Sequence, residues 1–222
     1  MYSIVAEKPG DISVLQKKSI DFSEPKSNEV LIKNRAIGVN FIDIYFRAGL
    51  YPWPVDTDLV LGSEGAGEVE AVGPDVKNFK IGDRVAYAQP NNAYSTHRII
   101  SEDLVVSIPD GISYDQAAAS ILKGLTVKYL LYDSFNLQSD HEVLFHAAAG
   151  GVGLIAGQWI KEIGAKSIGT AGNSEKCMLA KQSGFDEVIN YSEKNFLEEV
   201  LEITNNKGLD VVYDSVGKDT MF

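Results

Sequence analysis

A glycine-rich run lies between an apolar segment and an amphipathic one. It reads HAAAGGVG over residues 146–153, and Ala147, Gly150 and Gly153 follow an A-x-x-G-x-x-G spacing. Small residues let the backbone turn sharply and let a pyrophosphate approach the main chain, while a following helix directs N–H groups and its positive dipole end at the phosphate. A glycine-rich run alone can also be a tight turn without a ligand. The flanking patterns favour a dinucleotide loop, with Gly150, Gly151 and Val152 at the diphosphate.

The residues about twenty positions further on bear on the choice of nicotinamide cofactor. In an NAD site, an acid at the tip of the second strand binds the ribose hydroxyls. Here Gly172 and Asn173 take that position, followed by Ser174, Glu175 and Lys176. A hydroxyl and an ammonium without an acid at the tip favour a 2′-phosphate, and therefore NADPH, with NADH as the alternative. Glu175 must then point away, and Lys176 could equally be an ordinary exposed lysine.

The second half of the chain alternates helical and extended patterns. Ser113 and Gln116 form a capping-box pair at the start of an Ala/Leu-rich helix. The patterns predict helices over 113–133, 152–163, 174–183 and 193–204, and strands over 142–145, 167–171, 187–191 and 210–214. This alternation predicts a parallel sheet with right-handed crossovers. A doubly wound domain usually has six strands, so we expect a domain truncated after its fourth strand, with residues 216–222 leading into another helix; a short four-stranded sheet is the alternative.

The first half has a different pattern. Short extended segments at Glu29–Arg35, Gly67–Val72 and Asp83–Ala88 alternate apolar and polar residues between Gly/Pro turns. This predicts a mostly antiparallel barrel or sandwich. The sequence therefore divides into residues 1–112 and residues 113–222.

Composition narrows the functional classes. The 222 residues carry a formal net charge of −11, which disfavours nucleic-acid binding, and no apolar run is long enough for a membrane span. The single cysteine, Cys177, excludes an internal disulfide and a multi-cysteine zinc site. The N-terminus lacks a signal-like apolar stretch, so we expect a cytoplasmic protein.

Several spaced motifs together resemble a known family. They are GVNFIDIY at 38–45, RAGLYP at 47–52, LGSEGAG at 61–67, VG at 72–73, IGDRV at 81–85, HAAAGGVG at 146–153 and YDSVG at 213–217. In this order, over essentially the whole chain, they resemble the zinc-independent quinone oxidoreductases of the zeta-crystallin type, in the medium-chain dehydrogenase/reductase superfamily. The resemblance implies a GroES-like β-barrel catalytic domain and a Rossmann domain, with the active site in the cleft between them. It also implies a homodimer for the full-length form.

The resemblance also implies a set of site residues. Cofactor contacts map onto Phe41, Ile42, Asp43, Ile44, Tyr45, Tyr129, Gly151, Val152, Gly172, Asn173, Ser174, Glu175, Lys176, Tyr191 and Val216. Asn40 could orient the nicotinamide ring or the acceptor, and Tyr45 and Tyr51 could line the acceptor pocket; a turn asparagine and packing tyrosines are the alternatives. Lys123 and Thr126 could approach the cofactor. We interpret His146 as a structural histidine at a strand end.

Zinc-dependent relatives place a cysteine and a histidine where this sequence has Asn40 and Ser63. The three histidines, at positions 97, 141 and 146, have no metal-ligand spacing, so we expect no metal. The expected activity is reduction of a small-molecule quinone by NADPH, since reduced quinone oxygens are stable anions that need little acid catalysis. The alternatives are an enone or enoyl-thioester reductase, which needs a proton donor, and a non-enzymatic NADPH-binding protein of the crystallin kind.

Overall fold

The computed structural model describes residues 1–218 and Thr220. These residues form two compact units, Met1–Leu122 and a second unit that begins at Lys123. The division falls inside a long helix, ten residues after the boundary at 112/113 that the sequence predicts. Asp219, Met221 and Phe222, where a further helix was expected to begin, lie outside the described residues.

The first unit is mostly antiparallel sheet, as predicted. Its elements are β1 (Tyr2–Ala6), β2 (Leu15–Ser19), β3 (Glu29–Gly38), α1 (Phe41–Ala48), β4 (Leu59–Val60), β5 (Glu64–Val72), β6 (Arg84–Ala88), β7 (His97–Ser101), β8 (Val105–Ser107) and the start of α2 (Tyr114–Lys128), with 3₁₀ turns at Ile12–Val14 and Glu102–Leu104. A five-stranded sheet has the order β7-β3-β5-β6-β8, and a three-stranded sheet has the order β2-β1-β4. All of these pairs are antiparallel.

Strand β3 differs from the strict alternation expected over Glu29–Arg35. Val30, Leu31 and Ile32 are all buried. The register with β5 shifts between Leu31 and Ile32, which marks a bulge or irregularity in the pairing. Such a shift interrupts the two-residue period, so successive side chains can be buried.

Helix α1 was not predicted, although its caps are visible in the sequence. The Asp43 carboxylate accepts the N–H of Asn40 at 2.9 Å, the second half of a capping box. Gly49 ends the helix in the left-handed conformation, at φ 75°, with its N–H bonded to Phe46 O. The Asn-x-x-Asp spacing and the glycine were the available signals, and short strands on both sides obscured them.

The second unit is a parallel sheet with helices in alternation. Its elements are β9 (Glu142–Phe145), α3 (Gly151–Ile163), β10 (Lys166–Ala171), α4 (Ser174–Gln182), β11 (Glu187–Asn190), α5 (Phe196–Ile203) and β12 (Val211–Tyr213), after a π-helical turn at Tyr129–Ser134. The strand order is β11-β10-β9-β12, with every pair parallel. The strand and helix predictions for this half are confirmed, as are the Ser113–Gln116 capping box and the Gly164 helix stop.

Phe185 is central to the packing of this unit. Its side chain is 2% exposed and its ring lies 6.1 Å from that of Phe145 on β9. A Cβ at Gly157 on α3 would lie 2.8 Å from the same ring, so the helix can approach the sheet only with glycine there. Phe185 therefore fills the space between α3 and the sheet.

We expect Phe185→Ala to lower the free energy of unfolding by about 3–5 kcal/mol, because it removes a buried ring and leaves a cavity. Urea unfolding, followed by Trp159 fluorescence in a Trp53→Phe background, measures this loss. Phe41→Ala is the matched control, since Phe41 is 74% exposed. Equal losses for the two variants would contradict this account of the packing.

Candidate functional site

The predicted phosphate loop is built at the N-terminus of α3. The loop runs from His146 to Gly150, and the first helical hydrogen bond is donated by Leu154 to Gly150 O at 2.9 Å. The N–H groups of Gly151, Val152 and Gly153 therefore precede the first turn and have no intrahelical acceptor. Among the described residues, no side chain caps this helix. The arrangement offers several N–H donors and the positive end of the helix dipole to an anion.

The loop packs so closely on the helix that one position must be glycine. A Cβ at Gly153 would lie 2.5 Å from Ala148 O and 2.6 Å from Ala147 O, both fixed backbone atoms. Ala147 itself has a positive φ of 55°, a conformation that few residues other than glycine adopt. The chain thus turns sharply from β9 into α3 at the place where the sequence motif predicts it.

Lys123 lies beside the same loop. A Cβ at Gly151 would come within 2.9 Å of Lys123 Cδ and Cε, so the aliphatic part of the lysine packs over the first residue of α3. The methylene groups of Lys123 therefore lie beside the N-terminus of the helix, where an anion would bind. That Lys123 approaches a cofactor stays a prediction, and the structure adds that its side chain lies beside the phosphate loop.

The tip of β10 brings several predicted residues together. Asn173 Oδ1 accepts the N–H of Lys176 at 2.8 Å and caps α4, so its side chain is already used within the protein. Ser174, Glu175 and Lys176 are exposed in the first turn of that helix. Within the described chain, neither Glu175 nor Lys176 forms an ion pair. The first turn of α4 thus presents a hydroxyl, a carboxylate and an ammonium to solvent.

Tyr191 lies next to this tip. Its N–H bonds to Ala171 O at 3.1 Å, and its hydroxyl would be 2.6 Å from a Cβ at Gly172. Ser192 Oγ donates to Gly172 O at 2.8 Å and fixes the same segment. The glycine therefore makes room for the phenol, which is 56% exposed and stays available to a ligand.

A cavity of about 250 Å³ opens at the carboxyl edge of the parallel sheet. It is lined by His146, Ala147, Thr170, Tyr191, Phe196, Val216 and Thr220. Tyr191 and Val216 were predicted site residues, and His146, Thr170 and Phe196 were not. The residue types of His146, Thr170 and Phe196 do not indicate a ligand site, because the ends of β9 and β10 and the α5 side chain come together only in the folded sheet. Tyr129, also predicted, lies half-exposed in the π-helical turn.

His146 is enclosed at this cavity. The side chain is 3% exposed; its Nδ1 lies 2.9 Å from Thr170 Oγ1 and its ring packs edge-on against Phe196 at 5.0 Å between centroids. Burial lowers the pKa of His146, and the negative charge of Asp214 offsets part of that shift. The imidazole is therefore held in its neutral form to a lower pH than an exposed histidine.

In the first unit, Asn40 is held by two buried carboxylates. Its Nδ2 donates to Glu64 Oε1 at 2.8 Å, and its backbone N–H donates to Asp43 Oδ2. Asp43 also accepts Ser63 Oγ at 2.5 Å and Tyr94 Oη at 3.0 Å. Burial and the adjacent Asp43 charge raise the pKa of Tyr94, so its hydroxyl remains a donor.

Asp43 is therefore different from the other predicted cofactor contacts on α1. Its carboxylate is 3% exposed and accepts three protein hydrogen bonds, so any contribution to a bound cofactor would be indirect. Asn40 and Ser63 lie at the two positions that are zinc ligands in zinc-dependent relatives. Their side chains donate hydrogen bonds to Glu64 and Asp43, respectively. Over the described residues, no group of three or more His, Cys, Asp or Glu side chains is arranged to hold a metal.

Neighbouring aromatic rings lie on α1 and at Tyr51, which follows this helix. Phe41, Ile44, Tyr45 and Tyr51 are all exposed, and Ile42 is partly buried. The ring of Tyr45 lies 6.4 Å from that of Phe41 and 5.6 Å from that of Tyr51, which also packs edge-on against Phe46. Exposed rings of this kind can pack against a planar ligand.

Comparison with known proteins agrees with both halves of the chain. The alcohol dehydrogenase GroES-like domain family matches residues 26–121, and the zinc-binding dehydrogenase family matches residues 151–222. A quinone oxidoreductase of Pseudomonas aeruginosa is 54% identical over 95% of this chain, and a 2-haloacrylate reductase of Burkholderia sp. is 40% identical over 100%. The crystal structure of Escherichia coli quinone oxidoreductase complexed with NADPH superposes with a TM-score of 0.95 at 50% identity, covering 99% of this chain and 68% of that one.

These similarities define a medium-chain dehydrogenase/reductase with a GroES-like unit and a Rossmann unit. Within that superfamily, the chain belongs to the quinone oxidoreductase family. It spans 65% of the length of the Pseudomonas relative and 68% of the Burkholderia one. No helix in the part of the chain that the structure describes is both long and apolar enough to cross a bilayer.

We expect the enclosed His146 to make stability depend on pH. Because its pKa is lowered in the folded state, the unfolded chain takes up the proton first as the pH falls below about 6.5, and stability is lost until the folded pKa is passed. His146→Gln should lack this part of the loss. Thermal unfolding of both proteins between pH 8 and pH 5 measures it, and a difference in stability that does not change with pH would contradict the prediction.

Proposed function

We propose that this protein is an NADPH-dependent quinone reductase that works without zinc. The observation that carries the proposal is the uncapped N-terminus of α3, where three N–H groups and the helix dipole face one loop and the methylene groups of Lys123 pack beside it. Support comes from the 50% identity to a quinone oxidoreductase whose structure was solved with NADPH. A cytoplasmic location and a homodimer stay predictions.

The second unit supplies the groups that would bind the cofactor. The N–H groups of Gly151 and Val152 suit the diphosphate, and the methylene groups of Lys123 pack beside them. Ser174, Lys176 and the exposed hydroxyl of Tyr191 suit a 2′-phosphate, because they offer donors where an NAD site would have an acid. Glu175 is the one adverse charge in this turn.

The first unit supplies the groups that would hold the acceptor. Tyr45, Tyr51 and Phe41 offer aromatic faces to a planar ring, and the Asn40 amide is the candidate partner for a carbonyl group of the acceptor. When bound, the reduced nicotinamide supplies a hydride. The residues contribute orientation and exclusion of water, and a quinone needs little more because its reduced oxygens are stable anions.

The chemistry of the two candidate ligand positions supports the proposed independence from zinc. Asn40 presents an amide whose nitrogen donates to Glu64, and Ser63 presents a hydroxyl that donates to Asp43. Neither is a usual zinc ligand, since structural and catalytic zinc sites use Cys, His, Asp or Glu.

A second candidate activity is reduction of a carbon–carbon double bond conjugated to a carbonyl group. It is favoured by the 40% identity to a 2-haloacrylate reductase along the whole chain. This reaction requires a proton for the α-carbon, and the exposed hydroxyl of Tyr45 is the candidate donor.

A turnover assay decides among these functions. We expect the protein to oxidise NADPH with 1,4-naphthoquinone, and we expect no loss of activity after incubation with EDTA and 1,10-phenanthroline. Activity that falls on chelation and returns with Zn²⁺ would overturn the metal-free proposal. Faster turnover of 2-chloroacrylate, lost in Tyr45→Phe, would favour the second activity, and cofactor binding without turnover of either would favour a non-enzymatic role.

The cofactor preference has its own test. We expect Lys176→Ala to weaken NADPH binding by about tenfold, the contribution of one charge-assisted hydrogen bond, while NADH binding changes little. Nicotinamide fluorescence measures both affinities. Lys161→Ala is the matched control, an exposed lysine on the neighbouring helix α3. Equal wild-type affinity for NADPH and NADH would refute the assignment of a 2′-phosphate site.

A further inference from the structure

Arg98, on β7, is a buried cation without an acidic partner. The residue is 4% exposed, and no carboxylate of the described chain forms an ion pair with it. The guanidinium is held by Gln89 O, which accepts from Nη1 at 3.3 Å, and by the ring of Tyr87, whose centroid lies 4.5 Å from Cζ. Burial lowers the pKa of Arg98, and only Tyr87 acts in the opposite direction. A buried charge normally has a counter-charge, because removing it from water is costly.

One edge of the Arg98 guanidinium has no acceptor. Nε is one of two buried side-chain atoms without a hydrogen-bond partner over the described residues, and the other is Asn91 Oδ1. Nη2 has no acceptor in that part of the chain either, and it is not among the buried atoms, so solvent reaches it. Nε–H and one N–H of Nη2 point the same way and form a fork that matches the two oxygens of a carboxylate. The bond to Gln89 uses the other nitrogen and leaves this fork unpaired.

Arg98 lines a cavity of about 200 Å³ in the first unit. Among the described residues that line it there is no acid, and Arg98 is the only permanent cation. His97 also lines the cavity, but both of its ring nitrogens are engaged, Nε2 with Glu70 at 3.0 Å and Nδ1 with Thr96 Oγ1 at 3.0 Å. Part of the wall is apolar and consists of Ile20, Phe22, Val60 and Ile99.

The charge and the lining of this cavity indicate the class of ligand. One guanidinium balances one negative charge, whereas a phosphate dianion would keep a second charge without a counter-ion. The fork of Arg98 suits two coplanar oxygens, and the apolar wall suits an aliphatic chain. The cavity is smaller than the pockets that hold drug-sized ligands, so the chain must be short.

We propose that Arg98 anchors a second ligand site, built within the first unit, that binds short aliphatic carboxylates. A carboxylate that enters from the cavity meets Nη2 with one oxygen and presents the other to Nε, so it supplies both the counter-charge and the acceptor. Nε is buried without the ligand, and its bond forms as the Arg98 side chain adjusts. None of the cavity residues is among those proposed to hold the cofactor or the acceptor, so this site does not depend on the proposed function.

The direct test is NMR of the wild-type protein labelled with ¹⁵N-arginine. The chain has four arginines, at positions 35, 47, 84 and 98, so four Nε–H signals are followed. Lys variants of the other three, which are less buried, identify the Arg98 signal by elimination. We expect sodium butanoate at pH 7 to shift this signal saturably and to leave the other three in place. No shift up to about 50 mM butanoate, ample for a millimolar dissociation constant, would overturn the proposal.

Three further ligands test the chemical class on the same wild-type protein. Butanamide has the shape of butanoate without its charge, and we expect no binding. Acetate lacks two methylene groups and should bind about tenfold more weakly than butanoate, while sodium chloride should leave the Arg98 signal unshifted. Butanamide that binds as well as butanoate would overturn the role of the charge. Acetate or chloride that binds as tightly would reveal a general anion effect and would overturn the assigned class.

A variant pair provides an independent measurement. A ligand that binds only the folded protein raises the melting temperature, so butanoate should raise that of the wild type. We expect no rise for Arg98→Gln, which removes the charge and the fork. Arg35→Gln is the matched control, since Arg35 forms only a partly exposed ion pair with Glu68 at 3.4 Å, and it should respond as the wild type does. A rise retained in Arg98→Gln would contradict the site, and the wild-type titrations decide the matter if that variant does not fold.

Discussion

The close contact between the phosphate loop and α3 is the constraint on which the second unit depends. The absence of a side chain at Gly153 lets the helix start against the carbonyls of Ala147 and Ala148. That approach places the N–H groups of the first turn at the carboxyl edge of the parallel sheet, where ligands bind in open α/β folds. The neighbouring His146, Thr170 and Tyr191 come to the same edge because their strands are parallel and end together. Backbone geometry therefore comes first, and the side chains of the site are arranged around it.

The main constraint on the first unit is different, because it buries two carboxylates. Asp43 and Glu64 are almost wholly removed from solvent, which is costly unless each is hydrogen-bonded. Asp43 accepts hydrogen bonds from the hydroxyls of Ser63 and Tyr94 and from the N–H of Asn40. Glu64 accepts hydrogen bonds from the side-chain amide of Asn40 and the N–H of Leu122. The same hydrogen bonds that stabilise the acids also fix Asn40 from both its backbone and its side chain. The side-chain amide of Asn40 is therefore rigid, at a position where zinc-dependent relatives use a cysteine.

Most of the fold could be predicted from the sequence because its strongest signals are local. The helical stripe from Val152 to Ile163, the Ser113–Gln116 cap and the glycine at 164 each depend on residues within a few positions. Helix α1 was missed because it is short and its caps, Asp43 and Gly49, stand among strand-like segments. The burial of three successive side chains at Val30–Ile32 depends on a register shift in the pairing of β3 with β5. Such a shift is non-local and cannot be predicted from a local sequence pattern. The cavity around His146 is likewise assembled from four strand ends and a helix, and the sequence showed only a histidine before a glycine-rich loop.

The net charge of the protein affects the binding of a phosphorylated cofactor less than the charged groups close to each phosphate do. A net charge of −11 repels a cofactor that carries several phosphate charges. At physiological ionic strength, however, screening limits that repulsion to about 8 Å, so only nearby groups determine the sign of the field at a phosphate. At the N-terminus of α3 those groups are backbone N–H donors, and in the first turn of α4 they are Lys176 and Glu175. At the proposed site, a diphosphate would therefore meet N–H donors and the positive end of the helix dipole, whereas a 2′-phosphate would meet one cation and one anion on adjacent residues. In the proposed site, discrimination between the two nicotinamide cofactors would then depend on which of these two exposed side chains turns toward the ribose, and much less on the acidity of the whole chain.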